Sequence, residues 1–209
     1  MRTKITLAQR ENQLQSRTPY TVAMKEWAYV IEALGRGEQS LVIRKGGILD
    51  QEGLFKPEHA SFAFFPTYEH QNQDDLNPEG RKRLELCREP SYPSSEQERV
   101  LIQFAAQVEF AFWLEKEACL NRLAGMQCLT RQALEKRYHY GSRKGLTVLC
   151  VRVFRIIPAI PILKWPGYAG CKSWILLKTP IQPQLTEPVI NQAKFAEETR
   201  ALKQLLRNG

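Results

Sequence analysis

Acidic residues are nearly missing from one stretch of the chain. Residues 131–178 hold ten Lys and Arg against the single acid Glu135, whereas residues 1–130 sum to −2 and residues 179–209 to +1. Almost all of the net charge of +8 therefore sits in that one stretch, which excludes an evenly charged surface and implies a local positive field. Long uninterrupted apolar runs are missing too. The most apolar segment, 146–163, is broken by Arg152, Arg155, Pro158 and Pro161, and the opening MRTKITLAQRENQLQ has no apolar stretch behind its basic residues. Neither a secretory signal nor a membrane span is expected, and a cytoplasmic location is. The five cysteines, Cys87, Cys119, Cys128, Cys150 and Cys171, form no CxxC pair and are odd in number, which argues against a disulfide frame or a zinc site. No repeat of fold-defining period is present.

What is there can build a core. Hydrophobic residues make up 43% of the 209 and charged residues 25%, far from the composition of a disordered chain. The expected fold class is α+β: a single compact domain with a mixed sheet, central helices and a C-terminal helix. Residues 1–24, with Arg2, Lys4, Arg10 and Arg17 among polar neighbours, read as a flexible basic N-terminal arm. Residues 25–178 read as the core domain, with 71–99 a long polar surface excursion holding at most one short helix. Residues 179–209 read as a Pro-rich connection and a helix. Within the core, WAYVIEAL and QSLVIRKG are β-rich runs joined by GRGE, so the spacing predicts an opening hairpin. Phe62, Phe64 and Tyr68 suggest a strand broken at Pro66, VLIQFAAQVEFAFWL from Val100 a strand, and LTVLCVRVFRII and SWILLK two more. KEACLNRLAGM and TRQALEKRY carry helical spacing, the second with Thr130 as N-cap, and so does the last segment through Ile190, Phe195, Leu202, Leu205 and Leu206.

Four groups of residues carry chemistry. Glu58-His59 and Glu69-His70 flank the aromatic strand, and two imidazoles with two carboxylates can ligate a metal or exchange protons. Their spacing matches no metal signature, and a separation of eleven sends the two histidines to opposite faces of an unbroken strand. Lys45-Gly46-Gly47 after a strand has the look of a phosphate loop but lacks its first glycine and its Ser/Thr, so a strand-ending turn is the simpler account. Cys171 beside Lys172 is a candidate nucleophile, since a neighbouring cation favours the thiolate, though no base can be assigned to it. In KRYHYGSRKG, finally, Lys136, Arg137, Arg143 and Lys144 surround Tyr138, His139 and Tyr140. These supply cations for phosphates and rings for bases, and a solvated helix end is the plain alternative. Arg152 and Arg155, an odd number apart on one strand, cannot join one patch.

Taken together, WAYVIEALGRGEQSLVIRKGGI, FKPEHASFAFFPTYEHQ, KGLTVLCVRVFRI and YAGCKSW resemble a bacterial family known only as domain of unknown function 1802, from about Lys25 to Leu177. The resemblance singles out Lys45, Gly46, Gly47, Glu58, His59, Pro66, Thr67, His70, Gln71, Arg152, Tyr168, Gly170, Cys171, Lys172, Ser173 and Trp174. It implies that three distant segments converge on one pocket. It names no cofactor and no reaction, and whether the protein is an enzyme stays open. The leading functional expectation is a cytoplasmic module that associates with nucleic acid through a basic patch in 131–178, with Lys136, Arg137, Arg143, Lys144 and Lys172 on phosphates. The alternatives are a metal-dependent hydrolase or nuclease centred on Glu58, His59, Glu69 and His70, and a protein-interaction domain using the C-terminal helix.

Overall fold

The structure is a computed structural model and describes residues 18–45, 55, 57–69, 71–84, 87 and 98–207. In chain order its elements are β1 (Tyr20–Trp27), α1 (Ala28–Gly35), β2 (Leu41–Arg44), β3 (Ser61–Thr67), α2 (Pro78–Leu84), β4 (Arg99–Leu114), α3 (Leu120–Ala124) and α4 (Arg131–His139). They continue with β5 (Leu146–Leu163), β6 (Trp174–Ile181), β7 (Leu185–Pro188) and α5 (Gln192–Arg207). The strands form one seven-stranded mixed sheet in the order β2-β5-β4-β3-β1-β6, with β7 also paired to β5. Only β1 and β3 run parallel. The result is a single α+β domain with a mixed sheet and a C-terminal helix.

Alternation along the strands explains why their sequences look continuously apolar. Phe62 and Phe64 of β3 and Met24 of β1 enter a core shared with α1, α3, α4 and α5. Their neighbours Ala63, Phe65 and Ala23 enter a second core with Ile102, Ile156, Tyr168, Ile175 and Ile181. Successive side chains of a strand point to opposite faces, so a sheet buried on both faces reads as an unbroken apolar run.

The predicted opening hairpin is not there. WAYVIEAL supplies the end of β1 and then α1, a helix buried at seven of its eight residues. A helix apolar on every side gives no amphipathic period, and burial overrides the β preference of Tyr29, Val30 and Ile31. The GRGE glycine does take a positive φ, Gly37 at 67°. It follows the C-cap residue Arg36 and closes the helix end, with Gly37 N–H donating to Leu34 O at 3.0 Å and Glu38 N–H to Ala33 O at 3.1 Å. β1 begins at Tyr20, inside the stretch read as an arm, and β3 continues through Pro66 to Thr67. α5 lays Phe195, Leu202, Leu205 and Leu206 into the first core. Among the described residues no helix is long and apolar enough to cross a membrane.

Candidate functional site

A cleft of about 450 Å³ opens where β1, β2 and β3 end against α4 and the turn that leads into β6. Antiparallel pairing of β1 with β6 sets Met24 opposite Trp174 and so brings residues 170–173 beside Lys25. The turn is then tied down: Lys25 N–H donates to Ser173 O at 2.9 Å, and Lys25 Nζ donates to the carbonyls of Tyr168 and Gly170, each at 2.8 Å. Gly170 takes φ 83°, a conformation that suits glycine. Arg44, closing β2, donates to Glu26 Oε2 at 3.0 Å, Lys25 O at 3.1 Å and Ser173 Oγ at 2.8 Å. Thr67 Oγ1 donates to Glu26 O at 3.2 Å. Four segments distant in sequence thus share one hydrogen-bonded floor.

The cleft is cationic. Six basic side chains, Lys25, Arg44, Lys45, Lys136, Arg137 and Lys172, line it against three carboxylates, Glu26, Glu69 and Asp75. Glu26 is committed to Arg44 and Asp75 to Lys136 at 3.3 Å. Lys25, Lys45, Arg137 and Lys172 have no ion pair with a carboxylate of the described residues. Arg137 lies flat against Trp27, its guanidinium 4.2 Å from the ring centroid, and donates to Ile43 O at 3.3 Å. Burial pulls the pKa of Arg137 down, opposed by Glu26 and Tyr29; burial does the same to Lys25, opposed by Glu69 and Cys171. Partly desolvated cations short of counter-charge stabilise an incoming anion more than solvated ones do, because less screening intervenes. Cys171, exposed, sits on the rim.

A second, larger cavity of about 1140 Å³ shares the wall formed by Lys25, Thr67 and Glu69. It is lined mainly by apolar and aromatic side chains from the ends of β3, β4, β5 and β6 and from the connection after β5, among them Phe65, Ile160, Ile162, Trp165 and Tyr168. Tyr168 is fixed by an edge-on contact with Phe65, centroids 5.6 Å apart, and its hydroxyl accepts from Lys178 N–H at 2.8 Å. Trp165 is 46% exposed, with Lys178 Nζ 3.8 Å from its ring centroid.

The structure divides the expected basic patch. Lys136 and Arg137 turn into the cleft, where Lys172 joins them. Arg143 is drawn away to Glu115 at 3.1 Å and lies over Trp113, and Lys144 is exposed outside the cleft lining. Of the rings, Tyr138 is buried with its hydroxyl on Glu115 O, while His139, paired with Glu117 at 2.9 Å, and Tyr140 are both exposed. Arg152 reaches Gln192 and Arg155 reaches Gly35 O, neither at the cleft.

Of the residues singled out by resemblance, Lys45, Thr67, Gly170, Cys171, Lys172 and Ser173 meet at the cleft, and Pro66 and Tyr168 line the larger cavity. Gly46, Gly47 and His70 lie outside the described residues. Lys45 itself donates to the carbonyls of Tyr138, Arg143 and Gly145, anchoring the end of β2 to the turn after α4. Gln71 Oε1 faces Tyr29 N–H at 3.5 Å. His59 packs edge-on against Trp174, centroids 5.0 Å apart. Glu58 and His59 precede β3 and Glu69 follows it, so roughly 20 Å of strand separates the two ends. Among the described residues no cluster of three or more metal-ligating side chains exists, and the hydrolase alternative gains no support.

Lys25, Glu26, Trp27 and Arg44 went unnoticed in the sequence. Their one signal was charge inside apolar strands, a Lys-Glu pair closing TVAMKEW and an Arg closing LVIR.

Solved structures similar to the chain include a mutant of the ASCH protein of Zymomonas mobilis, at 13% identity and a TM-score of 0.40, covering 90% of this chain and 99% of that one. The ASCH protein of the same organism without that mutation matches at 10% identity and a TM-score of 0.37, covering 87% of this chain and 94% of that one. No curated protein matches the chain. The family model described as Domain of unknown function (DUF1802) matches residues 23–201, which takes in every residue that lines the cleft, and the chain belongs to that family.

Proposed function

We propose that the protein is a nucleic-acid-binding module that holds backbone phosphates in the cationic cleft. One observation carries the reading: four cations from four distant segments, none with a carboxylate ion pair among the described residues, line one cleft, while three basic residues of 131–178 outside it are each held by an acid. Arg131 is paired with Glu135, Arg143 with Glu115 and Lys164 with Glu98. Lys25, Lys45, Arg137 and Lys172 face the cleft instead. A phosphate entering it meets cations fixed by the ends of β1 and β2, by α4 and by the 170–173 turn, an arrangement that holds a polyanion without reading its sequence.

The test is equilibrium binding of the purified chain to labelled short oligonucleotides across a salt series. The expected result is micromolar or tighter binding that weakens linearly in log salt. Lys172→Ala lowers the slope by about 0.7 to 1 and Arg137→Ala weakens binding further, whereas Arg143→Ala, already neutralised by Glu115, changes little. Salt-independent binding, or equal losses from Arg143→Ala and Lys172→Ala, contradicts the reading.

A further inference from the structure

The cleft has a neighbour that phosphate binding alone leaves unused. The cavity beyond the Lys25, Thr67 and Glu69 wall is large enough for a small organic ligand and is walled by aromatic and branched side chains. From this juxtaposition we infer that the ligand is single-stranded polynucleotide, with a phosphate in the cleft and an unpaired base in the adjoining cavity against Trp165. The inference rests on the nucleic-acid reading of the cleft and names the form of nucleic acid that fits.

Three features of the cavity support the assignment. It adjoins the cationic cleft across a wall of three side chains, so a ligand that reaches both carries an anion and an apolar group side by side, as a nucleotide does. Its walls are rigid: Phe65 and Tyr168 belong to the second core, and the Tyr168 hydroxyl is pinned to the backbone of β6. It presents the Trp165 indole, nearly half exposed, with Lys178 Nζ held 3.8 Å from its centroid. Stacking on such a ring tolerates any base, and a base held in a duplex is unavailable for it. Thr67 and Glu69 on the shared wall offer a hydroxyl and a carboxylate to a base edge.

The experiment compares the full chain on four labelled probes of one sequence: single-stranded RNA, single-stranded DNA, the duplex, and a single strand carrying abasic sites. The expected result is binding to either single strand about tenfold tighter than to the duplex or the abasic strand. Trp165→Ala should bring the intact strand down to the abasic level while the salt slope holds, and Trp165→Phe should restore most of the loss. A circular dichroism spectrum matching the parent confirms that each variant is folded. Equal affinity for intact and abasic strands, with Trp165→Ala silent, overturns the base cavity and leaves the phosphate cleft standing. Loss of salt-sensitive binding to every probe overturns the cleft and the cavity together.

Discussion

At the scale of single residues, close packing explains a position that sequence alone leaves mute. Gly35 ends α1 at the point where the Phe104 ring crosses it, and a Cβ built there falls 2.2 Å from the ring. Phe104 is itself buried and lies under the Arg155 guanidinium, 4.8 Å from its centroid, while Arg155 donates to Gly35 O at 2.9 Å. An alanine in a helix ordinarily gains up to about 1 kcal/mol over glycine. Here the buried ring must shift to admit the methyl group, and overpacking of a well-filled core costs about 1–3 kcal/mol. Gly35→Ala is therefore expected to lower the midpoint of chemical denaturation, and Gly35→Ala combined with Phe104→Leu to recover part of it. A stabilised Gly35→Ala protein would show that helix propensity outweighs the packing.

At the scale of elements, the sequence was most legible where periodicity and end signals agree. α4 starts at the expected cap, with Ala133 N–H donating to Thr130 Oγ1 at 3.1 Å. β4 and β5 run as one long antiparallel pair from Arg99–Leu163 to Leu114–Leu146, because β-branched and aromatic runs of that length have few other ways to bury themselves. α1 was illegible for the opposite reason: with both of its sides covered it shows no helical stripe, and Val-Ile pairs at that spacing suit either period. α5 was legible as a helix but not as to what it covers. Its apolar face is occupied within the chain, Thr199 meeting Cys150 and Leu202 sitting in the main core. Leu202→Ala is accordingly expected to cost about 2–5 kcal/mol of stability with no change in oligomeric state. A shift in sedimentation with unaltered stability would instead assign this helix to a partner.

At the scale of the whole molecule, the candidate site was only half legible, because charge density in a sequence window ignores the acids that other segments bring. Arg143 counted fully in the basic stretch, yet Glu115 at the end of β4 neutralises it; Lys25 and Arg44 counted for nothing, yet the sheet order carries them to the same cleft as Lys172. The same long-range burial sets how the folded chain responds to alkali. Desolvation pushes the thiol of Cys87 up to about 11, that of Cys150 to about 11 and that of Cys128 to about 12. An unfolded cysteine ionises near about 8.5. Between that value and the folded ones the unfolded chain binds fewer protons than the native one, so stability falls as pH rises; the contribution is intact below the unfolded pKa and is lost towards the folded pKa. Tyrosines and lysines titrate in the same window, so the informative quantity is a difference between proteins. Cys128→Ala should show a shallower fall in denaturation midpoint between about pH 9 and pH 11 than the parent, by close to one proton. Identical slopes in the parent and Cys128→Ala would mean that the buried thiol already ionises in the folded state, and that water reaches the core it shares with Leu76, Leu129 and Leu134.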